Sequence, residues 1–213
     1  MRNEPLSQPS PPDLADLGVF PTATIHEALG RIGALPGALK PVAAAMRLYG
    51  PAFTVAAVAG SNLALHHALA QARPGDVVIA SVGGAPEFGY WGEIMATAAR
   101  HRGLGGLVID ACVRDADLIE EIGFPVFARG LCIRGTSKAQ GGALGGTITI
   151  GDIDIHPGDA VIGDRDGVVV VPQARIAEAL TQSRAREDKE EQVLKDLAGG
   201  RTTLEIYDLP DMT

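Results

Sequence analysis

Between residues 77 and 129 the sequence alternates short apolar runs with stretches of helical character. The apolar runs are bounded by glycine and proline, as buried strands are, while the longer stretches between them place apolar residues at helical spacing. Strand and helix alternating through short loops are typical of parallel strands joined by crossover helices. The pattern therefore predicts an α/β fold with a parallel central sheet. The predicted elements are strands at 77–80, 106–109 and 125–129 and helices at 91–102 and 115–122.

The flanking segments differ in character. Residues 1–12 are rich in proline and serine and are expected to form a flexible N-terminal arm, with 13–213 as a single domain. After Gly130 the polar and apolar residues alternate in short runs, which predicts antiparallel strands. The remaining predictions are a short helix at 13–17, one or two strands within 46–59, strands at 147–150, 152–155 and 168–171, a charged helix at 173–198 and an irregular tail after Gly199.

Two helices are predicted near the N-terminal half of the chain. The first contains Glu27; Thr22 or Thr24 would cap its start, and a glycine would follow its end. The second follows Gly60-Ser61-Asn62 and continues as LALHHALAQA. Neither segment carries metal-ligand spacing, so the adjacent His66 and His67 are interpreted as structural.

Composition excludes several classes of partner. The net charge of −8 argues against nucleic acid, whose phosphates are neutralised by clustered Lys and Arg. The sequence has no apolar run of membrane-spanning length and no apolar signal core after Met1-Arg2. The two cysteines, Cys112 and Cys132, form no disulfide framework and are interpreted as small core residues. A soluble cytoplasmic protein without membrane partners is expected.

The candidate site lies where the predicted strands end. A glycine-rich loop at 83–89 leads to Trp91-Gly92-Glu93 at the start of a helix, and Arg114-Asp115 follows the next strand. Glycine permits close backbone approach, and a helix N-terminus favours an anion. Arginine binds a carboxylate through two parallel hydrogen bonds, and aspartate can hold a hard cation. These features predict a site for a small, metal-chelating acid.

The same residues also have simpler interpretations. Glu93 and Asp115 each stand at a helix start, where an acid is favoured by the helix dipole alone. The loop at 83–89 lacks the GxGxxG pattern, and no Gly-Lys-Ser/Thr follows the glycines at 141–146. Both loops are therefore open to an ordinary structural interpretation.

The spacing of the candidate residues nevertheless resembles a known motif. Gly92-Glu93, twenty intervening residues and Arg114-Asp115 are similar to the Asp-x20-Arg-Asp motif of the class II pyruvate aldolases, which act on 4-hydroxy-4-methyl-2-oxoglutarate and 4-carboxy-4-hydroxy-2-oxoadipate. Their fold family, called RraA-like, includes the regulator of ribonuclease E activity A. The resemblance extends over TATIHEALGRIGALPG, AGSNLALHHAL, PGDVVIA, GLGGLVIDACVRD, GFPVFARG, IRGTSK and PGDAVIGDRDGVVVVP.

The resemblance implies a fold, an assembly and a set of site residues. The fold would be an α-β-β-α sandwich like the phosphohistidine swivelling domain, assembled as a homotrimer or homohexamer with sites between subunits. A divalent cation, Mg²⁺ or Mn²⁺, would have Asp115 as its direct protein ligand, and Arg114 would bind an oxo-acid substrate. The backbone of Gly92, Glu93, Ile94 and Met95 would receive the substrate carboxylate. Glu27 and Glu190 match acidic positions near the family's site, and Glu190 could come from a neighbouring chain.

The implied reaction is retro-aldol cleavage to pyruvate and a second oxo acid, with oxaloacetate decarboxylation as a side activity. Glu93 would orient the water that removes the proton from the substrate's 4-hydroxyl. Here the sequence departs from the family motif, since Glu93 replaces its first aspartate and reaches one methylene further. Two alternatives remain. One is a non-catalytic regulator of a ribonuclease, and the other is a carrier with a phosphorylated histidine, for which no exposed loop histidine stands out.

Overall fold

The structure is a computed structural model, and it describes residues 11–212. Predicted arm residues 1–10 lie outside this range. In chain order the elements are α1 (Pro11–Leu17), α2 (Thr22–Ala28), β1 (Lys40–Pro41), β2 (Leu48–Ala57), α3 (Leu63–Gln71), β3 (Val77–Ser81), α4 (Glu93–His101), β4 (Gly106–Val113), α5 (Ala116–Ile122), β5 (Val126–Leu131), β6 (Gly142–Leu144), β7 (Ile148–Ile150), β8 (Ile153–Ile155), β9 (Ala160–Asp164), β10 (Gly167–Val171), a 3-10 turn (Gln173–Arg175), α6 (Ile176–Ala198) and α7 (Thr203–Tyr207).

One mixed sheet organises the molecule. Its strand order is β1-β5-β4-β3-β2-β9-β10. Strand β6 is not part of this order and pairs with the C-terminal end of β2, at residues 55–57. Strands β2, β3, β4 and β5 run parallel to one another, and the alternation had predicted this for β3, β4 and β5. The pairs at the two ends of the order are antiparallel, and β1 also contacts β10, so the sheet is nearly closed into a barrel. The predicted α/β fold with a parallel central portion is confirmed.

Helices cover the outside of the sheet. Helix α3 packs on β2 and contacts α4, which in turn contacts α5. On the other side α1 and α2 each pack against α6, and a second apolar cluster that includes Leu17, Ile25 and Ile176 joins these helices to β9 and β10. The central strands are buried on both faces, which explains their continuous apolar runs: every residue of the segment 77–80 is fully buried.

The structure corrects several predicted boundaries. Helix α1 begins at Pro11, within the segment assigned to the arm. The segment 46–59, predicted to hold one or two strands, forms the single strand β2, which runs through Gly50-Pro51. The tail is not irregular, because α7 forms there with a capping box in which Thr202 Oγ1 accepts from Glu205 N and Glu205 Oε2 accepts from Thr202 N, at 3.2 and 2.8 Å. That Thr-x-x-Glu spacing was readable in the sequence.

The start of α2 was also predicted incorrectly. The predicted threonine cap is absent, since the N-cap is Pro21 and Thr22 is the first helical residue. Asp164, at the end of β9, takes over this role by accepting from Thr22 N at 2.8 Å and from Thr22 Oγ1 at 2.7 Å. A carboxylate 142 residues away caps the helix, so only the tertiary structure could reveal it.

Among residues 11–212 no helix is long and apolar enough to cross a membrane.

Candidate active site

The candidate site forms where β4 ends. This strand runs through Val113, four residues beyond its predicted end, so Arg114 and Asp115 follow it directly and α5 begins at Ala116. The backbone N–H of Arg114 donates to the carbonyl oxygen of Trp91 at 2.9 Å. This bond joins the end of β4 to the segment that precedes α4. Two parts of the chain that are distant in sequence therefore meet, as the parallel topology predicts.

Asp115 has a left-handed backbone, with φ 59° and ψ 41°. Such a conformation is uncommon for a residue other than glycine and costs on the order of 1–3 kcal/mol, although aspartate tolerates it better than most residues. Its side chain makes no cap bond to its own helix. Instead, Oδ2 accepts from the backbone N–H of Glu93 at 3.1 Å, at the start of α4. The side chain of Asp115 therefore bonds the start of α4 instead of its own helix, a contact that the helix-dipole interpretation does not account for.

Gly92 leaves the space that this arrangement needs. A Cβ atom at residue 92 would lie 2.3 Å from Asp115 Oδ2 and 3.1 Å from Arg114 Cγ. The first distance is incompatible with a side chain in the present geometry, and the second would be a tight contact. Gly89 is similarly restricted, because a Cβ there would lie 2.5 Å from the carbonyl oxygen of Cys132. The glycines of this segment thus permit close packing around the Arg-Asp pair.

Arg114 and Asp115 border an open hollow of about 400 Å³, whose other lining residues are Leu131, Cys132 and Ile133. Arg114 Nε lies 3.6 Å from Asp115 Oδ2, and both side chains are partly exposed. An ion pair of this kind contributes only about 0–1 kcal/mol. Within the described chain, the terminal guanidinium nitrogens of Arg114 have no hydrogen-bond partner. They are available to a carboxylate in the hollow.

The predicted carboxylate-binding backbone is only partly available. The N–H of Glu93 already donates to Asp115, and that of Met95 donates to the carbonyl oxygen of Gly92 at 3.1 Å. Met95 is buried, and its sulfur accepts from Asn62 Nδ2 at 3.5 Å. The N–H groups of Gly92 and Ile94 have no partner among residues 11–212. These two groups are therefore unpaired within the described chain, and Ile94 is exposed whereas Gly92 is buried.

The Glu93 side chain is exposed at the first position of α4. In the part of the chain that the structure describes, its carboxylate has neither a hydrogen bond nor an ion pair. Because its own N–H binds Asp115, Glu93 is held next to the Arg-Asp pair by the backbone while its carboxylate stays free to act on a ligand.

Glu27 and Glu190 lie on α2 and α6, which pack against each other. Arg186 connects them, with Nε 2.8 Å from Glu190 Oε1 and Nη1 3.9 Å from Glu27 Oε2, and Arg31 Nε lies 3.1 Å from Glu27 Oε1. No contact between described residues joins this group to Arg114 or Asp115. Their roles at the site stay predictions, and a role for Glu190 there depends on a second chain.

The hollow suits a weakly held hard cation. Among the described residues no three His, Cys, Asp or Glu side chains form a metal-binding group. Asp115 Oδ1 accepts no hydrogen bond from the described chain, and it borders the open hollow. Mg²⁺ keeps several waters and is often bound through one or two carboxylates, so one carboxylate beside open solvent fits this ion.

Sequence reasoning missed three lining residues, Leu131, Cys132 and Ile133. The signal that could have found them is the parallel pairing of β4 with β5, which places Leu131 opposite Val113 and so beside Arg114.

The other cysteine, Cys112, is half-buried, and burial, with Cys132 and Glu87 nearby, raises the pKa of its thiol. A raised pKa disfavours the thiolate, which supports a packing role for Cys112.

Comparison with known proteins identifies relatives over most of the chain. The RraA-like family model, described as Aldolase/RraA, matches residues 22–170. A protein of Halalkalibacterium halodurans named "Putative 4-hydroxy-4-methyl-2-oxoglutarate aldolase" is 32% identical over 172 residues, which cover 81% of this chain and 82% of that protein.

Solved structures resemble the fold over similar lengths. An uncharacterized protein from Pseudomonas syringae pv. tomato superposes with a TM-score of 0.81 at 30% identity, covering 91% of this chain and 95% of that one. Streptomyces coelicolor RraAS2, described as an unusual member of the RNase ES inhibitor RraA protein family, gives a TM-score of 0.79 at 26% identity, covering 89% of this chain and 98% of that one.

Proposed function

Because the chain belongs to the RraA-like family, described as Aldolase/RraA, we propose that it is a divalent-metal-dependent lyase that cleaves 4-hydroxy-2-oxo acids to pyruvate. The name of the Halalkalibacterium halodurans relative supports an aldolase. The observation that carries the proposal is the geometry around one hollow: Arg114 and Asp115 line it, and the start of α4 is joined to them because Glu93 N donates to Asp115 Oδ2 across the space that Gly92 leaves.

Arg114 binds the carboxylate of the oxo acid. Its guanidinium is partly exposed and has donors without protein partners, which matches the two-oxygen geometry of a carboxylate. The N–H groups of Gly92 and Ile94 lie at the positive end of α4 and add further donors for the same anion. Together they orient the substrate with its keto group towards Asp115.

Asp115 holds Mg²⁺ or Mn²⁺ through its carboxylate. The cation supplies Lewis-acid polarisation of the substrate's keto group. Two features orient the Asp115 carboxylate for this role. Its backbone lies in the left-handed region, and its Oδ2 accepts a hydrogen bond from Glu93 N. A carboxylate held in this way needs little reorganisation when it binds a cation.

Glu93 orients the water that takes up the proton of the 4-hydroxyl. As this O–H loses its proton, the C4–O bond becomes a carbonyl, the C3–C4 bond breaks and its electrons form the enolate of pyruvate. Arg114 stabilises the negative charge of this enolate, and protonation at C3 releases pyruvate. Loss of carbon dioxide from oxaloacetate generates the same enolate, so oxaloacetate decarboxylation is the expected side activity.

The experiment is a pyruvate-release assay with 4-hydroxy-4-methyl-2-oxoglutarate, 4-carboxy-4-hydroxy-2-oxoadipate and oxaloacetate, with and without Mg²⁺. Asp115→Asn keeps the size but removes the charge, so Mn²⁺ binding measured by calorimetry should collapse. Arg114→Lys loses the planar fork, so turnover should fall while Mn²⁺ still binds.

The chain offers a matched control pair in Arg184 and Asp16. Their ion pair measures 3.7 Å and is also exposed, but it lies on α6 and α1. Arg184→Lys and Asp16→Asn should therefore leave both metal binding and turnover unchanged. A parent protein that releases no pyruvate from any of the three acids would contradict the proposal.

A second candidate is the non-catalytic ribonuclease regulator. The similarity to Streptomyces coelicolor RraAS2 favours it, since that protein is described as belonging to an RNase ES inhibitor family. A regulator does not require Arg114 and Asp115 to line an open hollow beside the start of α4. Inhibition of a ribonuclease that survives Asp115→Asn, in a protein without lyase activity, would select this alternative.

A further inference from the structure

Asn62 carries a buried amide that the proposed reaction leaves without a role. The residue is 6% exposed and is the N-cap of α3, yet its side chain makes no cap bond to that helix. An asparagine at an N-cap ordinarily accepts from a backbone N–H in the first turn of its own helix. Here Nδ2 instead donates to the carbonyl oxygen of Tyr90 at 3.1 Å and to the sulfur of Met95 at 3.5 Å. Both partners are acceptors, so the amide atom that faces them is the donor.

These two acceptors lie on either side of the start of α4. Tyr90 precedes the N-cap of this helix, Gly92, and Met95 lies in its first turn. Gly92 has no side chain with which to cap the helix. The Asn62 amide therefore bonds the chain before and after a helix start that its own N-cap residue cannot cap.

The segment between these acceptors makes two hydrogen bonds to the Arg-Asp pair. The carbonyl oxygen of Trp91 accepts from Arg114 N at 2.9 Å. The N–H of Glu93 donates to Asp115 Oδ2 at 3.1 Å. Asn62 itself makes no hydrogen bond to either member of the pair in the described part of the chain. Its influence on the pair passes through the backbone at the start of α4.

Asn62 is itself held by bonds to its neighbours. Its backbone N–H donates to the carbonyl oxygen of Ser137 at 3.0 Å, and its carbonyl oxygen accepts from His66 N at 3.2 Å. Close by, Gly60 N donates to Tyr90 Oη at 2.7 Å. The turn before α3 is thereby bonded both to the loop after β5 and to the loop before α4. An amide anchored in this way can fix the position of another segment.

The same amide contributes little to stability as a whole. Its Oδ1 atom is buried and accepts no hydrogen bond from the described chain. A buried acceptor without a partner has lost its bonds to water, which offsets what the Nδ2 bonds contribute. Leucine has a similar size and removes the donor and the unpaired acceptor together. Asn62→Leu therefore tests the donor with a small effect on the fold.

We propose, resting on the lyase function above, that Asn62 is a positioning residue. Its amide holds the start of α4 where Glu93 N meets Asp115 Oδ2, and so directs the carboxylate assigned to the cation. Without this donor the segment relaxes and the carboxylate leaves its present direction. A displacement of about 1 Å at an active site costs on the order of 10²-fold in rate. Because the effect passes through one intervening hydrogen bond, we expect a loss of about tenfold to 10²-fold.

The first test measures amide hydrogen exchange of Glu93 by NMR in the metal-free protein, for the parent, Asn62→Leu and Thr54→Val. Thr54 is the matched control, because it is fully buried and its Oγ1 donates to Gly146 O at 2.6 Å, but it does not line the hollow. Exchange of the Glu93 amide should accelerate about tenfold in Asn62→Leu, as for the loss of one hydrogen bond, and stay parental in Thr54→Val. Unchanged exchange in a folded Asn62→Leu protein overturns the positioning role.

The second test measures pyruvate release at saturating Mg²⁺, and Mn²⁺ affinity by calorimetry, for the same three proteins. In Asn62→Leu we expect kcat to fall about tenfold to 10²-fold and Mn²⁺ affinity to weaken, while KM for the oxo acid changes less because Arg114 is kept. Thr54→Val should lose stability in thermal unfolding but keep parental kcat. Parental kcat and Mn²⁺ affinity in Asn62→Leu overturn the positioning role. A parent that releases no pyruvate overturns the lyase function, whereas hydrogen exchange still decides the role of Asn62.

Asn62→Ala is a second variant that removes the same donor without adding the bulk of leucine. The same shifts in Glu93 exchange and in kcat are expected, because both variants lack the amide. A loss of kcat in only one of two folded variants would assign the effect to packing at residue 62 and overturn the role of the donor.

Discussion

Gly92→Ala tests whether the spacing at the candidate site matters for catalysis. The added Cβ would lie 2.3 Å from Asp115 Oδ2, whereas contacts of this kind become ordinary only beyond 3.4 Å. The oxygen must therefore retreat by about 1 Å, and a displacement of that size in an active site costs on the order of 10²-fold in rate. The hydrogen bond from Glu93 N to the same oxygen would be lost as well.

The fold should survive this substitution. Gly92 has φ −155° and ψ −167°, an extended conformation that alanine also adopts. The clashing atoms belong to the partly exposed side chains of Asp115 and Arg114, which can move without disturbing the core. Alanine also reduces the entropy of the unfolded chain, which favours the folded state slightly. The change therefore acts on the position of the carboxylate more than on stability.

The assay measures pyruvate release and Mn²⁺ binding for the parent, for Gly92→Ala and for Gly37→Ala. Gly37 is the matched control, because a Cβ there meets no atom within 4 Å. We expect kcat/KM to fall about 10²-fold in Gly92→Ala and to stay unchanged in Gly37→Ala. Parental kcat/KM and parental Mn²⁺ affinity in a folded Gly92→Ala protein would refute the reasoning.

Three further predictions concern Glu93, Asp164 and the assembly. Glu93→Asp should retain much of the activity, whereas Glu93→Ala should lose about 10²–10⁴-fold, and unchanged turnover in the alanine variant would leave only a helix-dipole role. Asp164→Ala should destabilise the fold by about 1–3 kcal/mol in denaturant titrations at pH 7, because it leaves the Thr22 donors unpaired in a buried setting. Burial acts to raise the pKa of Asp164, but hydrogen bonds from Thr22 and Asp166 lower it below its ordinary value of 3.8. The stabilisation by Asp164 is therefore present at neutral pH and is lost as the pH falls below 3.8 through the lowered pKa. At that acidic pH the stabilities of the parent and the variant should converge. Light scattering should show a homotrimer or homohexamer, and a fully active monomer at assay concentration would contradict the assembly.

Local patterns predicted most of the secondary structure. The alternation of buried strands and helices between residues 77 and 129 fixed the parallel centre of the sheet, because fully buried parallel strands require continuous apolar runs. Polar–apolar alternation likewise predicted the antiparallel strands β7 and β8. Boundaries that depend on distant partners were wrong, as at Thr22, where Asp164 replaces a local cap.

The sequence by itself determined which groups the site contains. The Gly-Glu and Arg-Asp segments were recognisable from spacing, and Arg114 and Asp115 were placed at a strand end. It did not determine that Asp115 turns into the left-handed region and caps α4 instead of its own helix.

Only the tertiary structure decided how these groups are arranged. The pairing of β4 with β5 brings Leu131 beside Arg114, and the packing of α2 on α6 joins Glu27 to Glu190 through Arg186, away from the hollow. The physical reason is that side-chain identity is local, whereas distance, exposure and hydrogen-bond partners depend on contacts between segments that are far apart in the chain.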